Sequence, residues 1–320
     1  MSLRQGRAFL APGTVRLPGA VFRFNGRGGG DKREGTVSRS IIRYTTVAAL
    51  RVRLTAERNA GKKIGFLATM GALHRGHLEL GRTLKEHCDV RVCSIFVNPT
   101  QFNDPKDYEA YLINIDADER ALESEGVDIL FAPSSAEMYP AGSQTTVMPG
   151  PLALPLEGEF RPGHFPGVCT VVLMLLTIVG PDVTIFGEKD FQQLRLVEQM
   201  VRDFKLPVQV LRGELVRESD GLALSSRNTR LSPESRQHAL AISRGLFAAK
   251  EAFVQDERNA KTLEQIVRAS VQSAPNCVED YIRVVNEETL SRVRVVEGCC
   301  RLVVVVRIQG VRLLDNIALA

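Results

Sequence analysis

Ile64-Gly-Phe-Leu-Ala-Thr-Met-Gly-Ala-Leu-His-Arg-Gly-His77 runs from an apolar strand into the start of a helix. Ile64 to Thr69 reads as a strand and Leu78 to His87 as a helix. A strand feeding directly into a helix opens a parallel α/β sheet. His74 and His77 lie three apart, so on a helical turn they share one face. Gly71 permits a tight turn, and Gly76 lets a flat ring approach the backbone. A helix N-terminus adds free N–H donors and partial positive charge, so the segment reads as a phosphate site. Two surface histidines at a helix start are the plainer alternative. A metal pair is a third, but no acid follows as it does in zincins.

The same rhythm extends outward. Val90–Val97, Val127–Phe131, Asp182–Phe186 and Val208–Leu211 read as further strands. Helical patterns fall at 105–125 (Tyr108, Tyr111, Leu112, Ile115, Leu122), Val168–Val179 and Asp190–Phe204. Continuous apolar strands alternating with helices predict a sheet covered on both faces. After about residue 215 two helical stretches (233–255 and 260–273) precede the strands Tyr281–Val285, Arg301–Ile308 and Val311–Leu314. The expected division is an arm at 1–39, a Rossmann-like domain at 40–215, and a smaller α+β domain at 216–320 that closes over the site.

Composition sets the limits. The chain has 320 residues, 44% hydrophobic and 24% charged, which suits one large or two modest soluble domains. The net charge is +4, but residues 1–39 alone carry +6, so the body is −2. With no basic–aromatic interleaving either, a nucleic-acid partner is not expected. The Arg-rich, acid-poor start of the arm resembles a mitochondrial presequence, although Pro12 and Pro18 interrupt an amphipathic helix. An ordinary disordered extension is the alternative. The six cysteines form no CxxC pair, and most lie in apolar runs, which points to a reducing compartment. Val168–Val179 is too short to span a bilayer and reads as a buried helix, so no membrane role is expected.

Four more segments carry chemistry. Phe96-Val-Asn-Pro-Thr-Gln-Phe102 sits where the second strand ends, and Asn98 and Gln101 can fix hydroxyl or carboxylate oxygens. Leu156–Val168 is a Gly/Pro-rich loop with Glu157, Arg161 and His164 that could close over a site. Phe186–Gln193 again runs from strand to helix. There Gly187 allows close approach, Lys189 suits phosphate, and Asp190 can cap the helix or accept ribose hydroxyls. One of Gln192 and Gln193 could face the cleft. Val216–Asn228 ends in Ser225-Ser226-Arg227, a phosphate clamp on a loop projected by Asp220-Gly221. Plain loop or cap chemistry is the alternative for each.

His-x-Gly-His after the first strand resembles the adenylyl-transferring Rossmann-like enzymes. The five segments in this order resemble the pantoate–β-alanine ligase family from about residue 41 to the end, Asp280-Tyr281 and Arg312–Asn316 included. The resemblance implies an ATP-dependent ligase that joins pantoate and β-alanine through a pantoyl-adenylate, releasing AMP and pyrophosphate. It implies ATP contacts from Met70, Gly71, His74, Gly76, His77, Gly187, Glu188, Lys189 and Asp190, and from Val216, Leu224, Ser225, Ser226 and Arg227. His77, His74 and Lys189 would be catalytic. Gln101 and Gln193, with Asn98, Glu157 and Arg161, would bind substrate. Mg2+ would escort ATP, at a protein site the sequence does not define. A cytoplasmic homodimer is expected, or a mitochondrial one if the arm is a presequence.

The chain departs from the family pattern at several positions. Ala68 stands where the family usually has Pro, Arg75 where an acid is common, and Leu112-Ile113-Asn114 where it reads Pro-Arg-Thr. Met174 and Thr177 replace a usual Lys and Asn. A catalytically weakened nucleotide binder and an adenylyltransferase for another acid are the two rival readings. The Gln101 and Gln193 pair argues against a phosphate-bearing substrate, which would call for Arg or Lys there.

Overall fold

The computed structural model describes residues 40–103, 108–109, 111 and 114–320 with their side chains, and the backbone of 14–17 and 20–23. In chain order the first elements are β1 (Thr14–Leu17), β2 (Ala20–Arg23), β3 (Ile42–Tyr44), α1 (Val47–Asn59), β4 (Ile64–Thr69), α2 (Arg75–Lys85) and β5 (Val90–Ile95). There follow α3 (Ile115–Ser124), β6 (Ile129–Phe131), α4 (Ser135–Met138), α5 (Glu157–Phe160), α6 (His164–Val179), β7 (Val183–Gly187), α7 (Phe191–Asp203) and β8 (Gln209–Gly213). The strands lie in the order β1-β2-β3-β6-β5-β4-β7-β8. From β3 to β8 all pairings are parallel. The predicted α/β class therefore stands.

Side-chain alternation along β4 shows why both faces are covered. Ile64 and Phe66 join one core with α1, α6 and α7, while Leu67 joins a second with Leu84 and Leu122 on the opposite face. The apolar helix α6 is buried along most of its length, and its last turn stops at Gly180, whose φ of 56° closes it before Pro181. Among the described residues no helix is long and apolar enough to cross a membrane.

Two expectations are corrected. Residues 1–39 read as an arm without regular structure, yet β1 and β2 pair with each other, and β2 adds antiparallel to β3 with Val21 beside Arg43. Val15, Val21 and Phe22 are residue types that favour strand. The remainder of that arm lies outside the described residues. The segment 156–168 is not one loop, because α5 and the first turn of α6 are helical. In the stretch 105–125 Tyr108 and Glu109 are helical, and α3 spans Ile115–Ser124, capped by Asn114 through Ala117 N–H at 3.1 Å. Leu112 and Ile113 lie outside the described residues. Asn114 thus supplies a helix cap at the position where the family has Thr.

The remaining chain builds α8 (Pro233–Val254), α9 (Ala260–Gln272), β9 (Cys277–Asn286), β10 (Cys300–Ile308) and β11 (Val311–Leu319). The three strands form an antiparallel sheet in the order β11-β10-β9. Gln309 and Gly310 both have positive φ, which gives the two-residue turn that suits a twisted hairpin. Leu246, Leu263, Val284 and Leu302 belong to a third core, between this sheet and its two helices.

Candidate active site

The strands β5, β4, β7 and β8 are consecutive neighbours, so their carboxyl ends open side by side. The histidine segment follows β4, the Asn98–Gln101 turn follows β5, the Lys189 turn follows β7, and the Val216 loop follows β8. Their side chains surround one cavity of about 230 Å³. Met70, His74, Gly76, His77, Gly187, Lys189 and Asp190 line it, with Val216, Leu224, Ser225, Ser226 and Arg227. Asn98, Gln101 and Gln193 line it too.

The two imidazoles are held by backbone donors. His74 is the N-cap of α2, and its Nδ1 accepts from Gly76 N–H at 3.1 Å. The Nδ1 of His77 accepts from His74 N–H at 3.3 Å. A nitrogen that accepts carries no proton, so each neutral ring bears its proton on Nε2. The rings face each other at a 30° tilt, with centroids 4.0 Å apart. Burial, then the Lys189 ammonium, pushes His74 down to about 4. Burial, then His74 and Lys189, pushes His77 down to about 3. At neutral pH both are uncharged donors. A Cβ at Gly76 would stand 3.0 Å from the His74 ring, so glycine is what lets that ring lie over the helix start.

Gln101 is fixed from all sides. The fully buried Asn98 donates to Gln101 Oε1 at 3.2 Å and to the Gly167 carbonyl at 3.1 Å, while its own Oδ1 accepts from Tyr139 Oη at 2.8 Å. Asn98 is thereby spent within the protein. Gln101 Nε2 has Met70 Sδ at 2.9 Å, a weak acceptor that a ligand oxygen can replace. His164 Nδ1 is 2.9 Å from the Gln101 carbonyl, and Arg161 is 3.1 Å from His164 Nε2. Arg only donates, so His164 carries its proton on Nδ1 and donates to Gln101. Burial, then Arg161, pushes His164 down to about 4.

The phosphate-like side of the cleft is braced by β11. Asn316 donates to the Glu188 and Lys189 carbonyls at 2.9 and 3.0 Å. Asp315 takes both arms of Arg217, at the base of the loop that carries Ser225–Arg227. The Ser225 hydroxyl accepts from Arg227 N–H at 3.3 Å. Lys189 stands 3.7 Å from Asp190. Desolvation is outweighed by the Lys189 ammonium and the Arg227 guanidinium, which hold the Asp190 carboxyl below the ordinary aspartate range.

Four expected residues are not in this cavity wall. Gly71 supplies the turn, with φ of 82°. Glu188 turns toward Arg301 at 3.5 Å. Glu157 is buried against Tyr281 Oη (2.8 Å) and Arg312. Arg161 lines a recess of about 50 Å³ beside the cavity, which also touches Lys189, Asp190 and Gln193. Of the two glutamines, Gln193 faces the cleft, while Gln192 is buried on the Leu152 and Pro155 carbonyls. Tyr111, Phe96, Val168 and Val172 also line the cavity. Only Tyr111 among them carries a polar group, and its place in a helical period disguised it as core.

A parallel sheet with paired neutral imidazoles, a lysine and a Ser-Ser-Arg turn at one strand edge defines a nucleotide-handling enzyme of the His-x-Gly-His class. Residues 42–318 match the family model described as pantoate-beta-alanine ligase. The chain is 48% identical over 280 residues to pantothenate synthetase 1 of Bradyrhizobium diazoefficiens, covering 86% of this chain and 97% of the relative. It is 44% identical to pantothenate synthetase of Aquifex aeolicus, over 85% of this chain and 97% of that one. The crystal structure of pantothenate synthetase from Thermus thermophilus superimposes with a TM-score of 0.82 at 42% identity, covering 87% and 99% of the two chains. The Francisella tularensis ligase, crystallised with beta-gamma ATP and beta-alanine, gives 0.70 at 34% identity, covering 87% and 98%. This chain belongs to the pantoate–β-alanine ligase family.

Proposed function

We propose that the chain forms pantothenate from pantoate and β-alanine at the expense of ATP. A pantoate carboxylate oxygen bonds to the α-phosphorus as the bond to the β-phosphate breaks and pyrophosphate leaves. The β-alanine amine then attacks the acyl carbon, AMP departs, and the amine loses a proton. Negative charge grows on the α-phosphate oxygens in the first step. The Nε2–H groups of His74 and His77, with Lys189, are the donors for that charge, and each such donor contributes about 3 kcal/mol. Ser225, Ser226 and Arg227 take the outer phosphates. Gln101 and Gln193 hold pantoate oxygens, and Arg161 in the side recess offers a cation to a carboxylate.

Mg2+ fits this cleft as a companion of ATP. The cleft offers Asp190 as a carboxylate, and Mg2+ takes one or two carboxylates alongside substrate phosphates. When bound it neutralises phosphate charge. The resemblance alone supports a homodimer, which solution mass would test; the cytoplasm is the default location, and the mitochondrion the alternative if residues 1–39 are a presequence.

The observation that carries the reading is the convergence of the imidazoles, Lys189, Ser225–Arg227 and the two glutamines on one cavity. The test is pantoate-dependent exchange of labelled pyrophosphate into ATP, followed by pantothenate formation when β-alanine is added. ATP binding without exchange would sink it.

A further inference from the structure

The turn that delivers His74 is unusual in its backbone. Gly71 has φ of 82° and Ala72 φ of 51°, so two successive residues lie in the left-handed region, the second of them not glycine. Such a path points consecutive N–H groups the same way and makes an anion-binding concavity. Here the anion belongs to the protein. Asp118 Oδ2 accepts from Ala72 N–H at 2.8 Å, and Oδ1 accepts from Leu73 N–H at 2.8 Å. Asp118 is buried on α3, more than forty residues further along the chain. That helix is itself anchored: Arg43 of β3 bonds Asp116 at 3.2 Å and Glu119 at 2.7 Å, and Leu122 is sunk in the core.

Asp118 is absent from the cavity wall, yet the residue after its two partners is His74. The His74 main chain sets both rings, since His74 N–H holds His77 Nδ1 and the cap geometry holds His74 Nδ1. We infer that Asp118 is a positioning residue, whose carboxylate fills the concavity at Ala72–Leu73 and aims the imidazole pair at the reacting phosphate. An amide has one oxygen where the carboxylate uses two, and its NH2 would face an N–H donor, so the turn relaxes and the two Nε2–H donors lose their aim. The inference rests on the ligase reading for the identity of the reaction.

The test compares the full chain with Asp118→Ala and Asp118→Asn. The proposal expects pyrophosphate exchange in Asp118→Ala to lose about tenfold or more in kcat, while KM for pantoate stays within about twofold. Added formate, small enough to enter the vacated concavity, should restore part of the kcat of Asp118→Ala and none in the wild type. Imidazole 15N signals of His74 and His77 should shift in Asp118→Asn. A folded Asp118→Ala with wild-type kcat would overturn the proposal. So would parallel loss of kcat, pantoate affinity and thermal stability without rescue by formate, which assigns a purely structural role. If Asp118→Ala does not fold, the kcat and 15N signals of Asp118→Asn decide. A wild-type chain without exchange would sink the ligase reading instead, and the 15N signals would still test the aim of the rings.

Discussion

At the scale of single residues the site depends on uncharged donors. Replacing His77 with Ala removes one Nε2–H from the α-phosphate, and kcat for pyrophosphate exchange should fall by about a hundredfold to a thousandfold. The same chemistry fixes a pH dependence. An unperturbed histidine titrates near about 6.5, but His74 and His77 are held down at about 4 and about 3. Neither ring gains a proton between pH 5 and 8, so kcat should show no inflection near neutrality that disappears in His77→Ala. A pH–rate profile of exchange from 4.5 to 8 checks this. Asn98 offers a different kind of test. It is expected from the sequence to touch substrate, yet its hydrogen bonds run to Gln101, Gly167, Thr100 and Tyr139. Asn98→Ala should therefore raise KM for pantoate through Gln101 and leave ATP affinity near wild type. Equal losses for both substrates would refute that division.

At the scale of elements the decisive contact is between α6 and the turn after β5. A Cβ at Gly167 would stand 2.4 Å from the Thr100 carbonyl oxygen and 2.9 Å from Gln101 N, all backbone atoms that cannot swing aside. Gly167→Ala must push the helix or the turn, at a cost of about 1–3 kcal/mol. Urea unfolding should register that loss, and KM for pantoate should rise while the nucleotide side is spared. The local pattern reveals most of these elements, because β4, β5 and β7 are short apolar runs bounded by Gly, Pro or Asn. The same pattern locates His74, His77, Lys189 and the Ser225–Arg227 run, whose residue types announce phosphate. Long-range pairings leave no such trace. Nothing near Glu157 in the chain foretells Tyr281 or Arg312, and nothing near Asp118 foretells Ala72. Loop residues that are helical, such as His164, were hidden by the Gly and Pro around them.

At the scale of the whole molecule two features set stability. His74, His77 and His164 all titrate lower in the folded chain than in the unfolded one. On acidification the unfolded chain takes up protons near about pH 6.5, while the folded chain waits until about 4 or below. Their contribution is thus intact above pH 6.5 and declines steadily toward pH 4. His164→Asn keeps a donor for the Gln101 carbonyl and removes one titration, so the fall in melting temperature between pH 6.5 and 4.5 should be shallower than in wild type. The second feature ties the large sheet's helices to the small antiparallel sheet. Glu157 on α5 is buried between Tyr281 of β9 and Arg312 of β11, and Arg312 also reaches Asp280 at 2.6 Å. Burial would raise the Glu157 carboxyl, yet Arg312, Tyr281 and Arg161 hold it below the usual range. Removing one partner strands the other, which costs about 3–5 kcal/mol, whereas removing both leaves only Arg161, 3.6 Å from Glu157 in the wild type, without its carboxylate. Arg312→Leu and Glu157→Leu should each lower the urea midpoint steeply, and the double variant should lose less than their sum. Asp280 keeps Arg307 at 2.9 Å in every case, so the cycle isolates the Glu157–Arg312 pair. Strictly additive losses would mean that the two sheets are joined by apolar packing and not by this pair.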